Sequence, residues 1–209
     1  ACAPFRRLHL CNKNMEKIAT SMTKHDLLAE VCMAAKYEGD SIKTPYTKHE
    51  HTNPGTASQL CTVLARSFAD IGDIVRGKDL YLGDKGEKKK LEDNLRKIFT
   101  QIYNEVTRTA TSVKKGELQK RYEGDDPNYY KLREDWWNVN RDQVWKAITC
   151  SAATGNKYFR PTCGDSGDEK HSTQASHKCR CGDGKKPDDQ VPTYFDYVPQ
   201  YLRWFEEWA

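Results

Sequence analysis

The chain has 209 residues with 34 basic and 30 acidic side chains, so its formal net charge at pH 7 is only +4. Hydrophobic residues make up 37 % and charged residues 31 %, a composition poorer in apolar and richer in charged residues than a typical globular domain. No run approaches the roughly 18 apolar residues of a membrane span, which excludes a transmembrane helix within these residues. Because five Trp, eleven Tyr and six Phe can each bury a large area, we expect a core built largely from aromatic rings.

Helical spacing of apolar residues dominates the first half of the chain. A capping-box pattern at 23–26 predicts the start of a first helix, and Gly39 is placed to end it. The Asn53-Pro54-Gly55 segment then breaks the chain, and a second helix is predicted to run up to Gly77. The apolar face of the first helix comprises Leu27, Leu28, Val31, Cys32 and Ala35, and that of the second comprises Leu60, Leu64, Phe68, Ile71 and Val75. The clearest stripe, which predicts a third helix, consists of Leu91, Leu95, Ile98, Phe99, Ile102, Tyr103 and Val106.

The second half of the chain contains two more predicted helices separated by an aperiodic region. Asp126-Pro127 predicts a helix start, with Asp as the N-cap and Pro in the first helical position. Residues 151–192 show no period and are expected to form a long cross-linked loop region. Pro199 then opens a last helix over 200–208. The apolar positions of these two helices are Tyr130, Trp136, Trp137, Val144, Trp145 and Ile148 in the first, and Trp204 and Trp208, stacked one turn apart, in the second. Since strand signals are nearly absent, the sequence predicts an all-α fold, a helical bundle with long irregular loops.

The eight cysteines are best explained as disulfide partners in an oxidising, extracellular setting. They are Cys2, Cys11, Cys32, Cys61, Cys150, Cys163, Cys179 and Cys181. No C-x-x-C pair occurs, which argues against a thioredoxin-type redox site and against zinc ribbons. Although connectivity cannot be read from spacing alone, one pair is favoured, Cys32 with Cys61, because each lies on a predicted amphipathic helix. The last four cysteines are expected to pair among themselves or with the N-terminal segment.

A metal site is the alternative to disulfides for two of these cysteines. His171, His177, Cys179 and Cys181 place four potential zinc ligands close together. Their spacing matches none of the common zinc-finger arrangements, and Cys-x-Cys is awkward for a closed tetrahedral site. Structural disulfides beside solvated loop histidines are therefore favoured over a zinc-stabilised domain. A Cys–His nucleophile is also disfavoured, because no oxyanion-hole or acid–base context accompanies it.

Three clusters of basic residues are candidates for binding an anionic ligand. Clustered Lys and Arg bind sulfated or phosphorylated polymers through charge pairing and counterion release. The simpler interpretation is a solvated helix surface, because acidic residues lie between the basic ones. The clusters are Lys88, Lys89, Lys90, Arg96 and Lys97 on the third helix; Lys114, Lys115, Lys120 and Arg121 around the next short helix; and Lys185 and Lys186 in the loop region. Arg6 and Arg7 are instead expected to form buried ion pairs, and the tryptophans are expected to belong to the core.

Four segments of unusual sequence carry a family resemblance. They are Cys2-Ala-Pro-Phe-Arg-Arg-Leu-His-Leu-Cys11, Asp70-Ile-Gly-Asp-Ile-Val-Arg-Gly-Lys-Asp-Leu-Tyr81, Trp136-Trp-Asn-Val-Asn-Arg-Asp-Gln-Val-Trp145 and Pro192-Thr-Tyr-Phe-Asp-Tyr-Val-Pro-Gln-Tyr-Leu-Arg-Trp-Phe-Glu-Glu-Trp208. Together these segments resemble the Duffy-binding-like adhesion domains. The last two, with the Asp70 segment, are similar to the alpha class found in the erythrocyte membrane protein 1 variant antigens of Plasmodium falciparum.

The resemblance implies an adhesion function. Such domains are cysteine-bridged, mostly helical and displayed on the extracellular face of the infected erythrocyte membrane, where they mediate cytoadherence or rosetting. Their partners are heparan-sulfate-like glycans, blood-group sugars or surface proteins on erythrocytes or endothelium, and host antibodies, which drive antigenic variation. Catalysis and cofactors are not known for the fold. The landmarks further imply that 1–209 is a partial domain, with 1–150 as its central helical bundle and 151–209 as a cysteine-containing loop region and the start of the next helical subdomain.

Two further functional classes are compatible with a basic helical chain. A nucleic-acid-binding module is disfavoured because the sequence pI of 8.5 lies below the values above about 9 typical of such modules, and because acidic residues lie among the basic ones. A secreted, disulfide-bonded enzyme is disfavoured because no nucleophile can be paired with a base. We therefore expect a non-enzymatic module without a nucleic-acid partner or direct membrane insertion.

Overall fold

The computed structural model describes residues 2–18, 24–52, 57–164, 172–182 and 190–209, and it confirms the all-α prediction. The helices of these ranges are α1 (Phe5–Leu8), α2 (Lys24–Thr52), α3 (Ala57–Arg76), α4 (Lys85–Thr109), α5 (Ser112–Arg121), α6 (Tyr130–Ile148) and α7 (Gln200–Trp208). Short 3₁₀ turns occupy Met15–Lys17 and Phe195–Tyr197. The described strands, β1 (Pro161–Cys163) and β2 (Thr173–Gln174), form one small antiparallel ladder.

Helix α3 is the central element of the bundle. It packs against α1, α2, α6, α7 and the 3₁₀ turn at 195–197. Its predicted apolar stripe is buried as expected, and Ala65, Ala69 and Ile74 are buried beside it. Gly72 lets α3 approach Trp137 of α6 closely, because a Cβ at this position would lie only 2.7 Å from the Trp137 ring. A helix covered on nearly every side must also bury its polar residues, and those residues organise the site described below.

Helix α4 confirms the clearest sequence pattern. Five positions of its stripe are buried and the last two, Tyr103 and Val106, are half-buried. Asp84 caps the helix by accepting hydrogen bonds from the backbone N–H groups of Gly86 and Glu87 at 2.7 and 3.3 Å. The apolar stripe faces the bundle, so the polar side of α4, with its lysines, faces solvent.

The predicted helix end at Gly39 is wrong, because α2 continues through Gly39 and Pro45 to Thr52. Gly39 lies where α2 crosses the end of α6, and a Cβ at this position would collide with the backbone carbonyl oxygen of Ile148. The hydroxyl of Ser151 donates to Asp40 at the same crossing. Glycine is therefore used here for close approach of two helices, which a sequence pattern does not separate from a helix stop.

The predicted start of α6 at Asp126-Pro127 is also wrong. The helix begins at Tyr130, and the capping carboxylate belongs to Asp125, which accepts from the N–H groups of Lys131 and Leu132 at 2.9 and 3.0 Å. Asp125 reaches these donors because the chain makes a turn at 125–129, where the Tyr129 N–H donates to the Asp125 carbonyl. The chemistry of capping was anticipated, whereas its position depends on this turn.

The tryptophan predictions hold for four of the five residues. Trp136, Trp137, Trp145 and Trp204 are buried, and Phe68 contacts the rings of both Trp137 and Trp145. Trp208 is exposed and donates to the Cys2 carbonyl oxygen instead of extending a core face with Trp204. The prediction that Tyr130 lies on the buried face of α6 is wrong: Tyr130 is 47 % exposed, because it lies at the first position of the helix.

Two disulfides confirm that the bundle is cysteine-bridged, but the predicted Cys32–Cys61 pair is wrong. Cys61 of α3 is bonded to Cys179, and Cys163 to Cys181. The Trp145 indole N–H donates to the Cys179 carbonyl oxygen at 3.0 Å, which holds the cysteine-containing loop against the bundle. Cys32 lies on α2, where burial, with a smaller contribution from the nearby Asp142 carboxylate, raises the pKa of its thiol to about 11.

The remaining thiols are free in this structure. They are Cys2, Cys11, Cys32 and Cys150. Of the last four cysteines, only Cys163 and Cys181 pair with each other, since Cys179 pairs with α3 and Cys150 with none. Several sequence predictions lie outside the described residues: the Thr23 cap, the break at Asn53-Pro54-Gly55, His171, and the basic pair Lys185 and Lys186.

Replacing Gly39 with Ala is expected to lower the free energy of unfolding by about 1–3 kcal/mol, because the added methyl must displace backbone at Ile148. The matched control is Gly116→Ala in exposed α5, where an added Cβ meets nothing within 4 Å. That change is expected to raise stability by up to about 1 kcal/mol, since Ala is the better helix former. Urea unfolding measures both, and a neutral Gly39→Ala would contradict the close crossing of α2 and α6.

Candidate ligand-binding surface

A buried network of charged side chains surrounds Asp70 at the centre of α3. The Asp70 carboxylate is fully buried, and it lies 2.8 Å from an Nη2 atom of both Arg6 and Arg203. The Gln200 amide donates to it at 3.0 Å. Arg6 also makes a bidentate pair with Glu207, at 3.0 and 2.9 Å. Asp70 thus links α1, near the start of the chain, to α7, near its end.

A second carboxylate, Asp196 in the 3₁₀ turn, links the same region to α6. It accepts from the Trp137 indole at 2.9 Å and from the Arg141 guanidinium through two bonds of 2.7 Å. Arg76 of α3 donates to the Asp196 carbonyl oxygen and pairs with Asp73 at 3.0 Å. All four sequence segments singled out above therefore meet in this network. Arg6 and Arg7 form buried ion pairs as predicted, Arg7 with Asp79 at 2.6 Å.

Burial acts on the two central carboxylates of α3 with opposite net results. Burial raises the pKa of Asp73 to about 6, although Arg203 and Arg76 favour its ionised form. Burial also opposes ionisation of Asp70, but Arg6, Arg203 and the Gln200 hydrogen bond outweigh it and hold that pKa below its usual range. Of these two carboxylates, Asp73 is therefore the one whose ionised form the folded structure disfavours.

The free energy of unfolding is expected to depend on pH through Asp73. Between about pH 4 and pH 6 the folded chain keeps a proton that an unfolded aspartate releases, so this stabilisation is complete below pH 4 and lost as pH rises through about 6. Relative to Asp73→Asn, the wild type should lose up to about 3 kcal/mol between pH 4 and pH 7. Urea titrations across that range test this, and a wild type that gains stability over the variant with rising pH would contradict it.

The basic residues on α4 divide into structural and free cations. Lys88 is partly buried and donates to the carbonyl oxygens of Asp79 and Tyr81, both at 2.8 Å. Arg96 lies 3.5 Å from Glu92 and 3.7 Å from Asp93. The remaining three candidates are exposed and have no ion pair or side-chain hydrogen bond among the described residues: Lys89, Lys90 and Lys97.

Two of the three acidic residues that interrupt this cluster in the sequence pair with other elements. Glu87 pairs with Lys13 of the N-terminal segment at 3.0 Å. Glu92 pairs with buried Arg133 of α6 at 2.9 Å. The third, Asp93, is half-exposed, lies 3.7 Å from Arg96 and is three or four residues from each of the exposed lysines, so it stays among them on the helix surface. Three exposed lysines beside one such acid leave a net positive surface, which weakens the interpretation as a charge-compensated helix surface.

The second cluster, on α5, is arranged differently. No residue of α5 is buried, and Lys114, Lys115 and Lys120 are exposed. Arg121 instead makes a bidentate pair with Asp135 of α6 at 2.6 and 2.5 Å, which raises the pKa of Arg121 and lowers that of Asp135. Arg121 therefore attaches α5 to the bundle. The adjacent Tyr122 ring meets Tyr103, in the second half of α4, so the two basic clusters lie at different ends of that helix.

A small pocket beside α4 contains residues that the sequence analysis did not bring together. It has a volume of about 170 Å³ and lies between the end of α3, the first half of α4 and the start of α6. Its lining includes Gly77, Lys88, Arg96 and the exposed ring of Tyr130. The sequence signal for this pocket is the Lys88–Lys97 cluster alone, because the apolar pattern of α6 predicts that Tyr130 belongs to the core.

The structure disfavours the metal alternative. Cys179 and Cys181 are both in disulfides and so cannot act as thiolate ligands. Within the described ranges no group of three or more His, Cys, Asp or Glu side chains is arranged to hold a metal ion. Over the same ranges, no helix combines the length and apolar character needed to cross a membrane.

Comparison with known proteins identifies relatives along the whole chain. The profile of the Duffy binding domain family matches residues 1–203. The Duffy receptor gamma form of Plasmodium knowlesi is 24 % identical over 219 residues, covering 100 % of this chain and 15 % of that protein. The Duffy receptor of Plasmodium vivax is 25 % identical over 160 residues, covering 72 % of this chain and 12 % of that protein.

Solved structures show the same architecture. The NTS-DBL1alpha-1 domain of Plasmodium falciparum membrane protein 1 (PfEMP1) from the varO strain superimposes with a TM-score of 0.74 at 42 % identity, covering 100 % of this chain and 43 % of that one. A PfEMP1 DBLbeta domain bound to ICAM-1 gives a TM-score of 0.67 at 32 % identity, covering 100 % of this chain and 44 % of that one. The chain thus spans less than half of each solved domain.

Proposed function

The chain belongs to the Duffy binding domain family, and from that membership we propose that it acts as a receptor-binding adhesion module, without catalysis, on the extracellular face of an infected erythrocyte. In this role it mediates cytoadherence or rosetting and is exposed to host antibodies. Two kinds of relative support a host-receptor partner: the Duffy receptors, and a PfEMP1 domain whose structure contains ICAM-1. The division of basic residues between the buried network and the surface agrees with this role.

The ligand class that the described surface supports best is a sulfated glycan of the heparan-sulfate type. The observation that carries this assignment is the exposed lysine face of α4, defined by Lys89, Lys90 and Lys97. Two of the three acids near these lysines, Glu87 and Glu92, are paired with other elements, and only Asp93 remains beside them. A row of cations that outnumbers its neighbouring acids attracts a linear polyanion and releases its counterions on binding. Neutral blood-group sugars and protein receptors would not depend on this charge in the same way.

Nucleic acid is a less suitable polyanion for the chain as a whole. Its net charge of +4 is small, and most of its arginines near the network are committed to buried carboxylates. The cation density is therefore local, confined to single helices rather than spread over a face that could follow a duplex. A short sulfated segment needs only such a local row.

Charge reversal of the α4 lysine face is expected to abolish retention on heparin. The triple variant Lys89→Glu, Lys90→Glu and Lys97→Glu should lower the apparent affinity at low salt by at least about tenfold, and the wild-type affinity should itself fall steeply as salt rises. Heparin-column elution and equilibrium titration at several salt concentrations measure this.

The matched control reverses the same number of charges on α5, through Lys114→Glu, Lys115→Glu and Lys120→Glu. Because both variants change the net charge equally, a larger loss for the α4 variant assigns the site to α4. Equal losses would point to net charge alone, and a larger loss for the α5 variant would move the site to α5. Unchanged retention of the α4 variant would remove the assignment.

A further inference from the structure

We infer that the pocket beside α4, lined by Lys88, Arg96 and Tyr130, binds one sulfate-bearing sugar ring of the glycan, so that recognition combines an inserted group with the exposed lysine face. This inference deepens the proposed function and rests on it. It assigns to the same surface a defined subsite that reads a single sulfated residue. The exposed lysines alone would respond only to the charge density of the polymer.

The charges around the pocket leave room for one anion. Its two carboxylates are both neutralised by arginines of other elements, Asp79 by Arg7 at 2.6 Å and Glu92 by Arg133 at 2.9 Å. Lys88 has no carboxylate partner among the described residues, because it donates only to backbone carbonyl oxygens. A pocket whose acids are already paired, and which still contains a cation, is electrostatically complementary to an added anion.

The two cations of the pocket also have hydrogen-bond donors to spare. Lys88 uses two of its three N–H groups on the carbonyls of the 79–81 loop, so one donor remains. The Nε atom of Arg96 is buried and donates no hydrogen bond to any described residue; it lies 3.5 Å from Glu92, while Nη1 lies 3.7 Å from Asp93. A buried donor without a partner costs free energy, and an inserted sulfate oxygen would recover it as a charge-assisted hydrogen bond.

The shape of the pocket favours a sugar ring over a free ion. Tyr130 lines the pocket and is an exposed residue. Gly77, which also lines it, leaves room for the Tyr130 ring and the Arg133 guanidinium, which lie 2.8 and 2.6 Å from where a Cβ would be. The remaining lining is apolar, from Ile74, Leu91 and Leu95. At about 170 Å³ the pocket is smaller than sites for drug-sized ligands, so it suits one charged group with part of its ring.

The pocket adjoins one edge of the lysine face. Arg96 lines it, and exposed Lys89 lies seven residues earlier, two turns away on the same side of α4. A glycan that places one sulfated ring between Arg96 and Tyr130 can therefore run along α4 past Lys89. The two parts would then contribute differently, the pocket through short-range hydrogen bonds and the lysines through salt-sensitive attraction.

The test is titration of the 209-residue chain with a trisulfated heparin disaccharide at low salt, followed by two-dimensional NMR. The variants are Arg96→Gln and Tyr130→Leu, with Lys97→Gln as the matched comparison that removes the same charge one position away, and exposed Lys157→Gln as a remote control. The unsulfated disaccharide and inorganic sulfate serve as the other probes. Signal dispersion in the free spectra shows that each variant is folded.

We expect the dissociation constant of the disaccharide to rise about tenfold or more in Arg96→Gln and clearly in Tyr130→Leu, but less than about threefold in Lys97→Gln and not in Lys157→Gln. Inorganic sulfate should bind more weakly at the same residues, and the unsulfated disaccharide should not bind. Equal losses for Arg96→Gln and Lys97→Gln, shifts centred away from the pocket, or no saturable binding would overturn the inference. Sulfate binding as tightly as the disaccharide would overturn its assignment to a sugar ring.

Long-chain heparin tests the proposed function, whereas the disaccharide tests the pocket. Long-chain heparin retained by the wild type and lost on reversal of the α4 lysine face supports that function even if the disaccharide does not bind. In that case only the subsite is wrong. Conversely, disaccharide binding that depends on Arg96 and Tyr130, without any effect of the lysine face on long heparin, would keep the pocket and reject the lysine face.

Discussion

A carboxylate that has lost all contact with water must be matched by cations and hydrogen-bond donors, and Asp70 is matched by Arg6, Arg203 and Gln200. These partners come from segments more than 190 residues apart in the chain, so satisfying one buried charge brings α1 and α7 together on α3. Asp196 repeats the arrangement with Trp137 and Arg141 of α6. These pairs join the two ends of the chain and α6 to the central helix α3.

The same constraint decides which cations remain for ligands. Several arginines, whose planar guanidinium suits bidentate pairing, are committed to the interior: Arg6 and Arg7 near the start of the chain, Arg133 in α6 and Arg203 near the chain's end. Lysines are mostly left on the outside, as on the face of α4. A scaffold that pairs its arginines internally can tolerate change on its lysine surface without losing its fold, which suits a family whose members differ in their receptors.

Much of the fold followed from local pattern, and the exceptions have identifiable causes. The stripes of α3 and α4 predicted their helices well, because apolar periodicity is a local property. Gly39 and Cys61 were misassigned because their roles depend on non-local partners, Ile148 and Cys179. The basic cluster on α4 was found from sequence, but the pairing of Glu87 and Glu92 with distant residues, and the place of Tyr130 in a pocket wall, required the tertiary structure.

The most direct test of this account is hydrogen exchange combined with urea unfolding of Asp70→Asn. The control is Asp142→Asn, because the Asp142 carboxylate is partly exposed, pairs with Lys146 of the same helix at 3.4 Å and lies outside the Asp70 network. We expect Asp70→Asn to lose about 3–5 kcal/mol, with α7 and the start of the chain losing protection before α4 does, and the control to change by less than about 0.5 kcal/mol. Unchanged protection of α7 with a loss no larger than the control would contradict the central role of the buried carboxylate.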